Sequence, residues 1–173
     1  ATVINADDVE IVIEVMGGEN PAFDLISAAL KAGKHVVTAN KEVLAKRGDE
    51  LLGIASDSGR QLLFEASVGG GIPILNTLSD DLLANRIDSI RAIINGTTNY
   101  ILTRMSREGA GFDDVLKDAQ ALGYAEADPT ADVDAFDALY KIAILSRLAF
   151  GTSAPVDSIP REGIRSLAAP GFT

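Results

Sequence analysis

Two lysines and a run of carboxylates have the types and spacing that could do chemistry in this chain. Asp137 and Lys141 stand four apart within a strongly apolar stretch that includes Phe136, Leu139, Ile142, Ala143, Ile144 and Leu145. On a helix the two share one narrow polar stripe. A lysine partly buried there loses solvation, which lowers its pKa, while the neighbouring carboxylate favours the ammonium. Such a lysine can exchange a proton with a bound oxygen; on an exposed face the same pair is an ordinary ion pair worth a few tenths of a kcal/mol. Lys41 ends the run Val37-Thr38-Ala39-Asn40-Lys41, at the carboxyl end of a predicted strand, where open α/β sheets bind ligands. A cation opening a helix is not favoured by the helix dipole, which hints at a role other than stability. From Asp113 to Asp137 there are eight acidic residues and one basic one, Lys117. This is either a solvated acidic face or a site. Asp128, Asp132, Asp134 and Asp137 lack the D-x-D-x-D-G spacing, which excludes an EF-hand. Gly69-Gly70-Gly71 reads as a tight turn or as a phosphate cradle.

Composition narrows the chemistry further. The 173 residues contain no cysteine, so disulfides, thiolate zinc sites and a cysteine nucleophile are excluded. The single histidine, His35, excludes multi-histidine metal sites and leaves little room for a Ser-His-Asp hydrolase. Acid-base work therefore falls to carboxylates or lysines. A formal charge of −10 repels phosphate backbones and anionic lipid, so neither nucleic acid nor a membrane is expected as a partner. No apolar stretch approaches the roughly 20 residues of a membrane-spanning helix. The absence of cysteine fits a cytoplasmic location. The start, Ala1 to Val9, has no initiator methionine and no leader pattern, and reads as a cut inside a longer protein.

The elements that must position these residues follow from periodicity. Ile11–Val15 is a β-branched run closed by Gly17-Gly18 and predicts a buried strand. Asn20 as N-cap, Pro21 at the first helical position and Gly33 as terminator frame a helix. A strand over 35–39, a helix from Asn40 to about Ser58 with Gly59 ending it, and a strand over 61–65 complete a β-α-β-α-β pattern. This is half of a doubly wound parallel sheet. The G-x-G-x-x-G turn of a dinucleotide-binding domain is absent. Beyond Gly71 the reading is a helix over 74–84, an alternating strand over 87–95, and helices begun by Gly96-Thr97-Thr98, by Asp113 and by Asp134, the last running to Phe150. The final twenty residues read as loop. The fold class is α/β: the C-terminal part of a Rossmann-like parallel sheet, residues 1–66, followed by an α+β substrate and dimerisation domain, residues 67–173.

Four motifs, in order, resemble those of homoserine dehydrogenases. They are Val36-Val-Thr-Ala-Asn-Lys41, Phe64-Glu-Ala-Ser-Val-Gly-Gly-Gly-Ile-Pro73, Ile94-Asn-Gly-Thr-Thr-Asn-Tyr-Ile101 and Leu122-Gly-Tyr-Ala-Glu-Ala-Asp-Pro129, with Asp132, Asp137 and Lys141 behind the last. The resemblance covers nearly the whole chain. It implies an oxidoreductase that interconverts L-aspartate 4-semialdehyde and L-homoserine with NAD or NADP, on the route to threonine, methionine and isoleucine.

The resemblance also implies roles. Lys141 matches the proton donor to the aldehyde oxygen, and Asp137 the carboxylate that positions it or the substrate hydroxyl. Glu126 matches the residue that receives the substrate amino group, with Tyr124, Gly96, Thr97 and Asp132 as further substrate contacts. Lys41 matches the lysine where nicotinamide and substrate meet, and Gly17 a cofactor contact. Glu65, with the carbonyls of Val68, Gly70 and Ile72, matches a monovalent-cation site, usually sodium. An amino-acid substrate and a homodimer formed through the second domain are the implied partners. Without the dinucleotide fingerprint, the chain alone is expected to bind cofactor poorly and to be inactive. The competing readings are a dimerisation or substrate-binding module without catalysis, and a related two-domain dehydrogenase of another substrate.

Overall fold

A computed structural model of the chain describes residues 2–168. These form two compact units, the first made of residues up to Asp88 together with Tyr140–Ser158, the second of Ser89–Leu139 and the chain from Ile159.

In the first unit, strands β1 (Ile11–Glu14), β2 (His35–Thr38) and β3 (Leu62–Leu63) form a parallel sheet in the order β1-β2-β3. Ile11 pairs with His35 and Val36 with Leu62. The crossovers are helices α1 (Ala22–Lys31) and α2 (Lys41–Asp57). Both helices end in the same way. Gly33, at φ +76°, lets its own N–H reach Leu30 and that of Lys34 reach Ala29, and Gly59 repeats this pattern with Ser56 and Ala55. Ile26, Leu30, Val36, Val43 and Leu51 are fully buried between helices and sheet, each contributing about 2 kcal/mol of apolar burial. The Arg47 guanidinium lies 3.7 Å from the Phe23 ring centroid and ties α2 to α1. Two expectations need correction here. Asn20 does not cap α1, which starts one residue after Pro21 with no side-chain cap. Nor is β1 buried: it is an edge strand, and Ile13 is 70 % exposed because no neighbour among the described residues covers that face. After β3 a 3-10 turn (Glu65–Ser67) leads to a short helix α3 (Ile74–Asn76), and the predicted helix over 74–84 then widens into a π turn, Thr77–Asp81.

The second unit is helical. Its helices are α4 (Gly96–Glu108), α5 (Phe112–Ala121) and the one-turn α6 (Thr130–Val133). Ile101 and Met105 of α4, Val115 and Ala119 of α5, Val133 of α6 and Ile164 beyond them make one core. Helix α7 (Phe136–Phe150) begins in this unit and ends in the first. The alternating segment 87–95 forms no strand; a strand needs a hydrogen-bonded neighbour, and none pairs with it among the described residues. Asn95, rather than Gly96-Thr97-Thr98, caps α4, and Gly111 rather than Asp113 precedes α5, leaving Asp113 and Asp114 in its first turn. The helix predicted from Asp134 to Phe150 starts two residues later, at Phe136, because Ala135 takes a left-handed φ of 62° between α6 and α7.

Candidate active site

The carboxyl ends of β1 and β2 hold a buried polar network. Glu14 ends β1 at 4 % exposure, and its carboxylate accepts from the Thr38 hydroxyl at 2.6 Å and from the Met16 N–H at 2.7 Å. Thr38 Oγ1 in turn accepts from the Asn40 N–H at 2.9 Å. Asn40 faces two ways: its Oδ1 caps α2 by accepting from the Val43 N–H, and its Nδ2 donates to the Gly18 carbonyl at 2.7 Å. The Gly17-Gly18 turn is thereby fixed to the start of α2, where half-buried Lys41 stands. Gly17 and Gly18 have φ of 78° and 73°, and a Cβ on Gly17 would meet nothing within 4 Å, so its open face can admit a ligand closely. From the sequence alone, Glu14 and Thr38 carry no role, and Asn40 none beyond starting α2. The available signal was a glutamate inside the apolar run Ile11–Val15, because a charge on such a strand needs partners.

In the second unit, Asn95 gathers the carboxylates. Its Nδ2 donates to Asp132 Oδ1 at 2.7 Å and to Asp137 Oδ2 at 2.8 Å, while its Oδ1 accepts from the Thr98 N–H at 2.7 Å. One amide thus caps α4 and holds two acidic side chains together, satisfying both of its N–H bonds on carboxyl oxygens. Asp137 is only 3 % exposed. It lies in the first turn of α7; Lys141, half-buried, is one turn later along that helix and belongs to the first unit. Asn95 was missed as a site residue because its neighbours along the chain are a helix start; Asp132 and Asp137 reach it only through the fold. Beside it the Thr97 hydroxyl donates to the Tyr124 carbonyl at 2.6 Å, and the Tyr124 ring stands 5.0 Å from that of Tyr100. Gly96 is exposed at the head of α4. Glu126 is exposed, with its carbonyl held by the Gln120 amide at 3.0 Å.

The acidic run is part solvated face and part paired groups: Asp113 and Asp114, in the first turn of α5, and Glu126 are exposed, while others are paired. Asp118 takes Arg104 at 2.7 Å and Asp134 takes Arg165 at 2.6 Å. Asp128 accepts from Thr130, whose hydroxyl and N–H hold its carboxyl below the usual carboxylate range. Glu108, Tyr100 and Asp118, in that order, raise the Arg104 guanidinium above its ordinary value.

At the third-strand end, Glu65 accepts from the N–H groups of Leu75 at 2.9 Å and Asn76 at 2.8 Å. The glycine run beside it is a turn, with the Ile72 N–H donating to the Gly69 carbonyl; of the oxygens expected at a cation site, those of Glu65 and the carbonyls of Val68, Gly70 and Ile72, the Ile72 carbonyl already accepts from the Ile74 N–H. Oxygen donors of this kind suit a hard cation. Among the described residues no group of three or more His, Cys, Asp or Glu side chains is placed to hold a metal ion, and no helix is long and apolar enough to cross a membrane.

Comparison with known proteins shows what the chain is similar to. The family model described as homoserine dehydrogenase, NAD binding domain, matches residues 1–65, and the model described as homoserine dehydrogenase matches residues 73–171. A homoserine dehydrogenase of Synechocystis is 54 % identical over 167 residues, 96 % of this chain and 39 % of that protein. The crystal structure of a homoserine dehydrogenase from Thiobacillus denitrificans superposes with a TM-score of 0.95 at 48 % identity, over 98 % of this chain and 39 % of that one. A hyperthermophilic archaeal homoserine dehydrogenase in complex with NADPH gives 0.83 at 36 % identity, over 92 % of this chain and 49 % of that one. The chain therefore spans about two fifths of the length of the curated relatives it matches. With both family models met in chain order, on a fold shared with solved members, the chain belongs to the homoserine dehydrogenase family.

Proposed function

We propose that this chain supplies the proton-transfer and substrate-binding groups of an NAD(P)-dependent homoserine dehydrogenase, interconverting L-aspartate 4-semialdehyde and L-homoserine. The observation that carries the reading is the convergence of Asp132 and Asp137 on Asn95, with Lys141 one turn beyond Asp137. When bound, the nicotinamide supplies the hydride. The Lys141 ammonium gives a proton to the aldehyde oxygen as charge develops there, and in the reverse direction the neutral amine takes that proton from the hydroxyl. Asp137, held by Asn95, sets the lysine's position. Glu126 receives the substrate ammonium group, with Tyr124, Gly96, Thr97 and Asp132 lining the substrate's path. Gly17 and Lys41 serve the nicotinamide side.

Residues 1–66 are the cofactor-side domain and 67–173 the substrate-side domain in this reading. Glu65 with the Val68, Gly70 and Ile72 carbonyls would hold sodium, and the enzyme works as a cytoplasmic homodimer on the route to threonine, methionine and isoleucine. The donor types support the cation assignment, and the cysteine-free composition supports the location.

The test is a chimaera in which this chain replaces the matching segment of the Synechocystis enzyme. Homoserine-dependent reduction of NAD or NADP by the chimaera, with none by the 173-residue chain alone, is the expected result. Turnover by the chain alone, or a folded chimaera that reduces cofactor with a different hydroxy acid but not with homoserine, would refute the reading.

A further inference from the structure

Asp132 and Asp137 are five residues apart, a spacing that on one unbroken helix places side chains about 140° apart around the axis. Both nevertheless bond the single Nδ2 of Asn95. The break between α6 and α7 makes this possible, and its centre is Ala135 at φ +62°, the one non-glycine residue with positive φ among the described residues. An alanine is strained in that conformation and stays there only if its surroundings over-determine it.

Locally the Ala135 N–H donates to the Asp132 carbonyl at 2.9 Å and the Ala135 carbonyl accepts from the Leu139 N–H at 3.0 Å, and one passing segment adds the remaining contacts. The Ile164 N–H donates to the Val133 carbonyl at 2.8 Å, and the Arg161 guanidinium donates to the Asp134 carbonyl while stacking 3.7 Å over the Phe136 ring. Arg165 holds both oxygens of Asp134, at 2.6 and 3.3 Å. Gly163 runs so close beneath the break that a Cβ there would stand 2.9 Å from the Val133 carbonyl oxygen and 3.1 Å from Asp134 Cα. Every backbone unit from Val133 to Asp134 is thus pinned, and the strain at Ala135 follows directly after the pinned residues.

We propose that Arg161, Gly163 and Arg165 form a positioning clasp that keeps the left-handed turn at Ala135 and thereby brings Asp132 and Asp137 together on Asn95. This deepens the proposed function, since it rests on that carboxylate pair belonging to the substrate site. Its test, however, reads the pair directly and does not depend on activity.

The test uses the two Asn95 side-chain amide protons in NMR spectra of the 173-residue chain, assigned by their loss in Asn95→Ser. In the unmodified chain both protons are bound to carboxylates, shifted downfield and slow to exchange. In Arg165→Met and in Gly163→Ala, with backbone spectra otherwise retained, their exchange is expected to rise roughly tenfold as the strained turn relaxes. Adding Ala135→Gly to Arg165→Met removes the strain and is expected to restore slow exchange. Unchanged amide exchange in Arg165→Met, or no recovery on adding Ala135→Gly, overturns the proposal. Should Gly163→Ala unfold, the Arg165→Met pair of measurements still decides.

Discussion

At the residue scale, the site rests on short polar side chains doing double duty. Asn95 caps a helix and bridges two carboxylates, and Asn40 caps another helix and ties down the Gly18 carbonyl. Removing the Asn95 amide leaves Asp132 and Asp137 facing each other without their shared donor. Asn95→Ala is therefore expected to cost about 1–3 kcal/mol in urea unfolding, with Asn95→Ser recovering the cap but not the bridge. A change below 0.5 kcal/mol, on the order of an ordinary exposed-site substitution, would count against the bridge. Asp128 makes a pH prediction. Its folded pKa lies below its unfolded value because the Thr130 hydroxyl and N–H bond its carboxylate form. The contribution is therefore present above the unfolded value of about 3.9 and lost as pH falls through the lower, folded one. Carboxyl NMR titration should place the Asp128 midpoint below about 3.9, and a midpoint above it would contradict the contact.

At the element scale, the glycine stops of α1 and α2 and the start of α2 were legible in the sequence, whereas the caps of α1, α4 and α5 and the boundaries set by the fold were not. Gly33 and Gly59 end their helices because only glycine takes positive φ without cost, and Asn40 starts α2 because its side chain can reach the third amide. By contrast, alternation over 87–95 signals a strand that finds no neighbour, and apolar period alone runs Asp134 into α7, although the clasp at Gly163 and Arg165 forces a turn at Ala135. That turn yields a stability prediction: Ala135→Gly should relieve left-handed strain and raise thermal stability by up to about 1 kcal/mol after the added chain entropy of glycine. Gly33→Ala should do the opposite, lowering stability by about 1 kcal/mol, since its φ is 76° and no ligand or side chain compensates. Calorimetric melting of the two variants checks both signs.

At the scale of the molecule, contiguous motifs were legible in the sequence and the contacts that hold them were not. The motifs around Lys41, Glu65, Gly96 and Glu126 pointed to the family because they lie in contiguous stretches. Glu14, buried at the end of β1, and Asn95, meeting partners 37 and 42 residues away, acquire meaning only when the chain is folded. Proton transfer by Lys141 is the claim on which the rest depends, and it is tested most directly by steady-state kinetics of the Synechocystis chimaera with and without Lys141→Met. The account predicts that kcat falls at least about 100-fold, the lower end of what a general acid contributes, while KM for homoserine changes much less. An unchanged kcat in the folded variant would contradict it.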